Sequence, residues 1–346
     1  MSRKIEKAAV LGAGIMGTGI AAHLANCGVK TYLLDIVPRE LSDDDKKKGL
    51  TKDSPAFRNK LAETAVQMAL KNRKPIPAFY HDSFADMITC GNLEDNLDWL
   101  SECDWVVEVV VENIDIKRKV FTNVEKHMKT DAVISSNTSG LPIKEMTEGR
   151  SDAFKKQFLV THFFNPVRFM RLLEIVPGEH TDQAIVDFMA KFGTNVLGKG
   201  VVFGHDTPNF VGNRIGMYGL ARTVREMMEK DYTIEEVDTI VGQPMGRPKS
   251  AAFRTIDMVG LDTVVHILKN CRESLTQDEE RDIFQTPDFM QKMVDNNQLG
   301  NKTKGGFYKK STDDQGEKQI LALDWKTGEY QPRQKIRFDS VGVAKN

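Results

Sequence analysis

Along the first half of the chain, short runs of β-branched and aliphatic residues alternate with segments of helical period. That rhythm is the signature of βαβ units and a parallel sheet. Residues 5–11, 29–35, 105–111, 132–136, 158–162 and 172–176 read as buried strands. Ile15–Asn26 and residues 116–128 read as helices between them, with Gly28 just past the first, where a left-handed cap is needed. From 38 to 74 the rhythm breaks. A charged run at 43–48 leads into a helical stripe of Leu61, Ala65, Met68 and Ala69, a helical excursion inserted after the second strand. A solvated arm and a substrate-covering element are both open readings of it. Past Gly204 the period turns helical, over 213–230, 234–241 and 261–270. Past Tyr308 the chain turns polar and irregular.

The pattern therefore divides the chain into residues 1–203 with the insertion at about 38–74, a smaller helical domain at 204–310, and a tail or the start of a further region at 311–346. No run approaches the ~18 apolar residues of a membrane-spanning helix. Glu6 and Lys7 stand where the apolar part of a secretory leader would begin, so the start reads as strand and turn.

Composition narrows the functional classes. The 346 residues carry 48 Lys and Arg against 49 Asp and Glu, a formal net charge of -1. This balance argues against a nucleic-acid footprint or a polybasic membrane surface as the main business of the chain. Cys27, Cys90, Cys103 and Cys271 lie far apart without a paired CxxC spacing, so neither a disulfide framework nor a zinc site is expected, and a reducing, cytoplasmic setting fits.

Gly12, Gly14 and Gly17 form a G-x-G-x-x-G turn between the first strand and the first helix. They suit a tight turn, close approach to a pyrophosphate and close helix–strand packing. The helix start, with Ile15 and Met16, supplies N–H groups and a positive dipole end. The second strand ends in Asp35, where a carboxylate can accept hydrogen bonds from a ribose 2′-hydroxyl and repel a 2′-phosphate. NAD is favoured, and Arg39 nearby keeps NADP open. The fold expected is α/β, a Rossmann-type doubly wound sheet followed by a smaller all-helical domain.

Of the seven histidines, His162 alone ends an apolar strand at the sheet edge where ligands bind in such folds. Glu174 is an acid alone in the apolar run Leu172, Leu173, Ile175, Val176. A buried carboxylate is costly without a partner, and His162 on an adjacent strand is a candidate. A His–Glu couple would orient an imidazole as general base. Two unrelated residues are the competing reading.

Six stretches in order over residues 6–308 are similar to the 3-hydroxyacyl-CoA dehydrogenases of fatty-acid β-oxidation. They are residues 11–21, 109–113 (Val-Val-Val-Glu-Asn), 136–139 (Ser-Asn-Thr-Ser), 162–166 (His-Phe-Phe-Asn-Pro), 206–214 and 260–262. The arm and the wording around Asp35 resemble the dehydrogenase part of bifunctional enzymes that also carry an enoyl-CoA hydratase. The resemblance implies NAD-dependent oxidation of an (S)-3-hydroxyacyl-CoA without a metal. It implies His162 as base, Glu174 orienting it, Ser139 on the same substrate oxygen and Asn213 holding the reacting group. It also implies Glu112, Lys117 and Asn137 beside the cofactor. The chain departs from the family pattern at His205, at Asn209 where glycine is usual, and over 244–248. As partners it implies an acyl-CoA, no nucleic acid or membrane, and either a second copy or a tethered hydratase domain. The rival readings are a relative acting on a free hydroxy acid or carnitine, and a catalytically silent dinucleotide-binding module of a larger assembly.

Overall fold

The structure, a computed structural model, describes residues 3–72, 76–313 and 315–343. The end of the expected arm at Arg73 and Lys74, the first two residues and the last three lie outside the described residues. The chain forms two compact units, Met1–Val211 and Gly212–Asn346.

The first unit is built on an eight-stranded sheet: β1 (Lys7–Leu11), β2 (Lys30–Asp35), β3 (Ile88–Asn92), β4 (Trp105–Glu108), β5 (Val133–Ser136), β6 (Phe158–Phe163), β7 (Leu172–Pro177) and β8 (Gly200–Phe203). The order is β3-β2-β1-β4-β5-β6-β7-β8, parallel throughout except for the antiparallel pair β6–β7. Side chains alternate between two cores. Ala8, Val10, Leu33, Trp105 and Leu159 face one, and Ala9, Leu11, Leu34, Val106 and Val160 face the other. Burial on both faces is why these strands read as continuous apolar runs. The first helix, Ile15–Asn26, packs Ile20, Ala21 and Leu24 into the former core. The helix Ile114–His127 packs Phe121 and Val124 into the latter, where Phe121 stands edge-on to Phe158 at 5.1 Å.

The inserted arm is helical over Asp43–Lys47, Pro55–Arg58 and Lys60–Lys71. Along the last of these helices the buried positions are Ala62 and Val66, whereas Leu61 and Met68 of the expected stripe are exposed. The helix is rotated by about one residue from the reading that its largest side chains suggest. Small Ala62, fully buried, lets it approach the core closely. Residues 204–211, expected in the second domain, stay with the first. Gly204 N–H donates to Ile175 O at 3.0 Å, and Phe210 is buried in the first unit's core.

The second unit gathers the helices Gly212–Glu229, Ile234–Ile240, Phe253–Val259, Leu261–Ser274 and Asp288–Asp295 around Val224, Met227, Phe253, Leu261 and Phe284. It carries in addition a three-stranded antiparallel sheet, β9 (Tyr308–Thr312), β10 (Lys318–Leu323) and β11 (Tyr330–Pro332), in the order β11-β10-β9. Tyr308, Ala322 and Leu323 are buried in the same core. The stretch past Tyr308 is therefore not a bare tail where these three strands form, at Tyr308–Thr312, Lys318–Leu323 and Tyr330–Pro332. Among the described residues no helix is long and apolar enough to cross a membrane.

Candidate active site

β1 leads directly into the glycine turn. Gly12 has φ +110, and a Cβ there would lie 2.6 Å from Val109 O; one on Gly17 would lie 1.8 Å from Gly12 O. Both positions require glycine for the turn to close. Gly14 is different: a Cβ there would meet nothing within 4 Å, so its open side faces free space. Gly14 caps the first helix without a side-chain bond, and the first turn holds no acid. The helix thus presents uncapped N–H groups and a positive dipole end beside an open cradle, and Ile15 is 79% exposed next to it. Asp35 closes the turn from β2: its carboxylate accepts from Ala13 N–H at 2.6 Å and from Ile36 N–H at 2.6 Å. These features fit a dinucleotide, with the carboxylate fixed at the edge of the cradle.

The ends of β4 and β5 carry a buried ion network. Glu108 is fully buried and accepts from Lys117 Nζ at 2.8 Å, Ser136 Oγ at 2.6 Å and Val110 N–H at 2.7 Å. Burial pushes its carboxyl above the usual range, against the pull of Lys117. Lys117 is only 1% exposed and also lies 3.2 Å from Glu112. Its ammonium is spent on these two acids and does not reach solvent. Glu112 accepts in turn from the Thr138 hydroxyl and from Ser139 N–H at 3.1 Å. Asn137 Oδ1 accepts from Phe163 N–H at 2.8 Å, tying the end of β5 to the end of β6. Glu108 was not among the sequence candidates. The sign that singled out Glu174, an acid alone in an apolar strand, would have found it.

At the antiparallel pair, His162 on β6 stands directly opposite Glu174 on β7. His162 Nδ1 lies 2.5 Å from Glu174 Oε2; the residues are 4% and 0% exposed. The other carboxylate oxygen accepts from Val211 N–H at 2.9 Å. An ionised Glu174 fixes the proton of the imidazole on Nδ1 and leaves the Nε2 lone pair outward. Ser139 Oγ lies 3.3 Å from Nε2. Phe164 and Phe210 pack on the ring, at centroid distances of 4.4 and 5.9 Å.

The segment that delivers Val211 is itself braced. Asp206 accepts from Ile143 N–H at 3.0 Å, and Asn209 and Phe210 adopt φ +61 and +46. Asparagine tolerates the left-handed region better than other residues with a side chain, which suits Asn209 to this bend. A Cβ on Gly140 would come 3.2 Å from Asn209 N, so that glycine admits the segment beside Ser139. Asn213 belongs to the second unit, in the first turn of the helix Gly212–Glu229. The first unit thus brings Ser139, His162 and Glu174 together, and joins them to Glu112 and Lys117 through Ser139 N–H.

Comparison with known proteins gives two family-model matches. The model described as "3-hydroxyacyl-CoA dehydrogenase, NAD binding domain" matches residues 7–207. The one described as "3-hydroxyacyl-CoA dehydrogenase, C-terminal domain" matches residues 210–310. A protein of Bacillus subtilis (strain 168) named "Probable 3-hydroxyacyl-CoA dehydrogenase" is 50% identical over 346 residues, all of this chain and 43% of that protein. One of Deinococcus radiodurans with the same name is 42% identical over 311 residues, 90% of this chain and 84% of its own length. The crystal structure of (S)-3-hydroxybutyryl-CoA dehydrogenase from Ralstonia eutropha is similar with a TM-score of 0.67 and 26% identity, covering 88% of this chain and 98% of that one. The chain spans less than half the length of the Bacillus relative.

Proposed function

The chain belongs to the 3-hydroxyacyl-CoA dehydrogenase family, and from that membership we propose that it interconverts an (S)-3-hydroxyacyl-CoA and the 3-oxoacyl-CoA in fatty-acid oxidation. NAD, when bound, supplies the acceptor for the hydrogen on C3. The glycine turn and Asp35 hold it, with Glu112 and Asn137 at the reacting end and Lys117 behind Glu112.

The observation that carries the reading is the His162–Glu174 pair, 2.5 Å apart and opposite in register. His162 Nε2 takes the proton of the 3-hydroxyl as C3 gives up its hydride. Ser139 Oγ donates to the same substrate oxygen and keeps it on the line to Nε2. Glu174 holds the ring in the required tautomer and offsets the positive charge that the ring gains. It cannot drift, because Val211 N–H fixes its second oxygen. Phe164 and Phe210 limit water around the ring, which strengthens every charge interaction there. Asn213 completes the proposed set as the group that holds the substrate, and its role is carried by the resemblance alone.

The test is NAD reduction by (S)-3-hydroxybutyryl-CoA and longer homologues, set against the free hydroxy acids and carnitine. Turnover confined to the CoA esters supports the proposal, and turnover of the free acids alone overturns it. His162→Gln should lower kcat by roughly 10²–10⁴ while NADH affinity holds. An unchanged kcat would remove the base from the mechanism. Tight NADH binding with no turnover on any acyl-CoA would favour the silent module. Cytoplasmic placement, and partnership with a second copy or a tethered hydratase, belong to the same proposal; a monomeric mass in solution would count against the second copy.

A further inference from the structure

The second unit contains a cavity of about 1030 Å³ that the chemistry above does not use. It opens between the 242–250 loop, the turn after Gly300, and the β9–β10 ribbon. Lys249, Lys304, Lys309, Lys310, Arg333 and Lys335 line it. Arg254 is a seventh cation and has an acid of its own, Asp257 at 3.6 Å. Among the described residues none of the other six has an ion-pair partner. Two of them rest instead against rings: Lys309 at 5.3 Å from the centroid of Tyr330 and Arg333 at 5.4 Å from that of Tyr308.

The one carboxylate in the lining cannot balance this charge. Asp238 Oδ1 accepts from Ala252 and Phe253 N–H at 3.0 and 2.8 Å. Its Oδ2 accepts from Arg254 N–H at 3.2 Å and Tyr308 Oη at 2.9 Å. Both oxygens are committed to holding the wall of the cavity. Nor does composition account for the cluster, since the chain as a whole carries one more acid than base. Cations converging on one concavity repel each other and focus a positive potential, which a multiply charged anion relieves. Five of the six are lysines, whose compact charges suit phosphate oxygens arriving from several directions. A single phosphate would leave most of them unbalanced. The volume suits a ligand of nucleotide size, and Ile320 and Ile336 add apolar surface beside the cations.

We infer that this cavity binds a small ligand bearing two or more phosphate groups, of the nucleotide polyphosphate class. A free nucleotide, inorganic pyrophosphate and the nucleotide end of CoA share that chemistry. Titration calorimetry on the full chain, with NADH saturating so that the dinucleotide site is filled, distinguishes them. Pyrophosphate, ADP and CoA are titrated into the wild type and into the double variant Lys310→Ala/Lys335→Ala. For each ligand the signal is the binding that the double variant loses. Both lysines are exposed, so melting temperature and NADH affinity should hold. The expected result is pyrophosphate binding that weakens about ten- to a hundredfold in the variant and falls with added salt. A lost component that is tighter for ADP or for CoA than for pyrophosphate supports the inference and names the source. Equal affinity in wild type and variant overturns it, as does no binding of any of the three. Binding of a long oligonucleotide where the small phosphates fail would also overturn it, by making these cations part of a surface track.

Discussion

Glu174 in the first unit and Asp257 in the second are both removed from water, at 0% and 1% exposure, and they are stabilised by different kinds of partner. Asp257 accepts from Phe307 and Tyr308 N–H at 2.8 and 2.9 Å. These amides cannot exchange a proton with a substrate, so the carboxylate acts as a fastener that seats the start of β9 on the helix Phe253–Val259. Gly306 permits it: a Cβ there would lie 2.0 Å from Asp257 Oδ1. Glu174 also accepts from an amide, Val211 N–H, but it pairs in addition with an imidazole whose far nitrogen is next to a serine hydroxyl. Burial costs both carboxylates alike. What separates architecture from chemistry is whether the partner can itself titrate and reach outward.

The contrast is broken most directly at Glu174. Glu174→Gln keeps the shape but removes the charge that supports the imidazolium, and kcat should fall by about 10²–10³ with NADH affinity unchanged. Steady-state kinetics and fluorescence titration read the two separately. Asp257→Ala leaves two buried N–H groups unpaired and should destabilise the second unit by about 3 kcal/mol, seen in denaturant unfolding monitored by hydrogen exchange of 253–260 and 306–323. An Asp257 variant whose stability is untouched would dissolve the comparison.

A pH series sharpens it. Burial pushes Asp257 up to about 6, above its value in the unfolded chain. The fold therefore favours the protonated form, and the contribution is fully present below the unfolded value near 4 and lost as pH rises through about 6. The stability difference between the wild type and Asp257→Asn should be larger at pH 4 than at pH 7, by about 2 kcal/mol. Subtracting the variant removes from the reading the raised carboxyls that do not act on Asp257, namely Glu108 and Asp206. The smallest effect is expected at Ser139→Ala, about tenfold in kcat for the loss of one hydrogen bond to the substrate oxygen.

Much of the first unit is legible in the sequence because its strands are buried on both faces and its glycines do one job each. The His162–Glu174 pairing is legible because each stands out against an apolar strand and their strands turn out to be neighbours. Other parts are hidden for physical reasons. β3 is five residues with a glycine, and β8 is a partly exposed edge, so neither gives a hydrophobic run. β9 reads as polar because it is a ribbon whose outward residues, Lys309 and Lys310, are charged, as exposed strands often are. The helix Lys60–Lys71 of the arm misleads in another way: its buried residues are the small Ala62 and the β-branched Val66, while the large Leu61 and Met68 point outward. The Lys117–Glu108 pairing is not legible, since it depends on where β4 ends and the helix Ile114–His127 begins. The cationic cavity is invisible along the chain because its lysines and arginine come from three separated stretches.

In the proposed mechanism Glu174 acts only through His162. A double-mutant cycle on single-turnover NADH formation, comparing His162→Gln, Glu174→Gln and the two together, tests it most directly. The double variant should be no slower than His162→Gln alone. Losses that multiply in the double variant would contradict it, because the carboxylate would then be acting on the reaction by a route of its own.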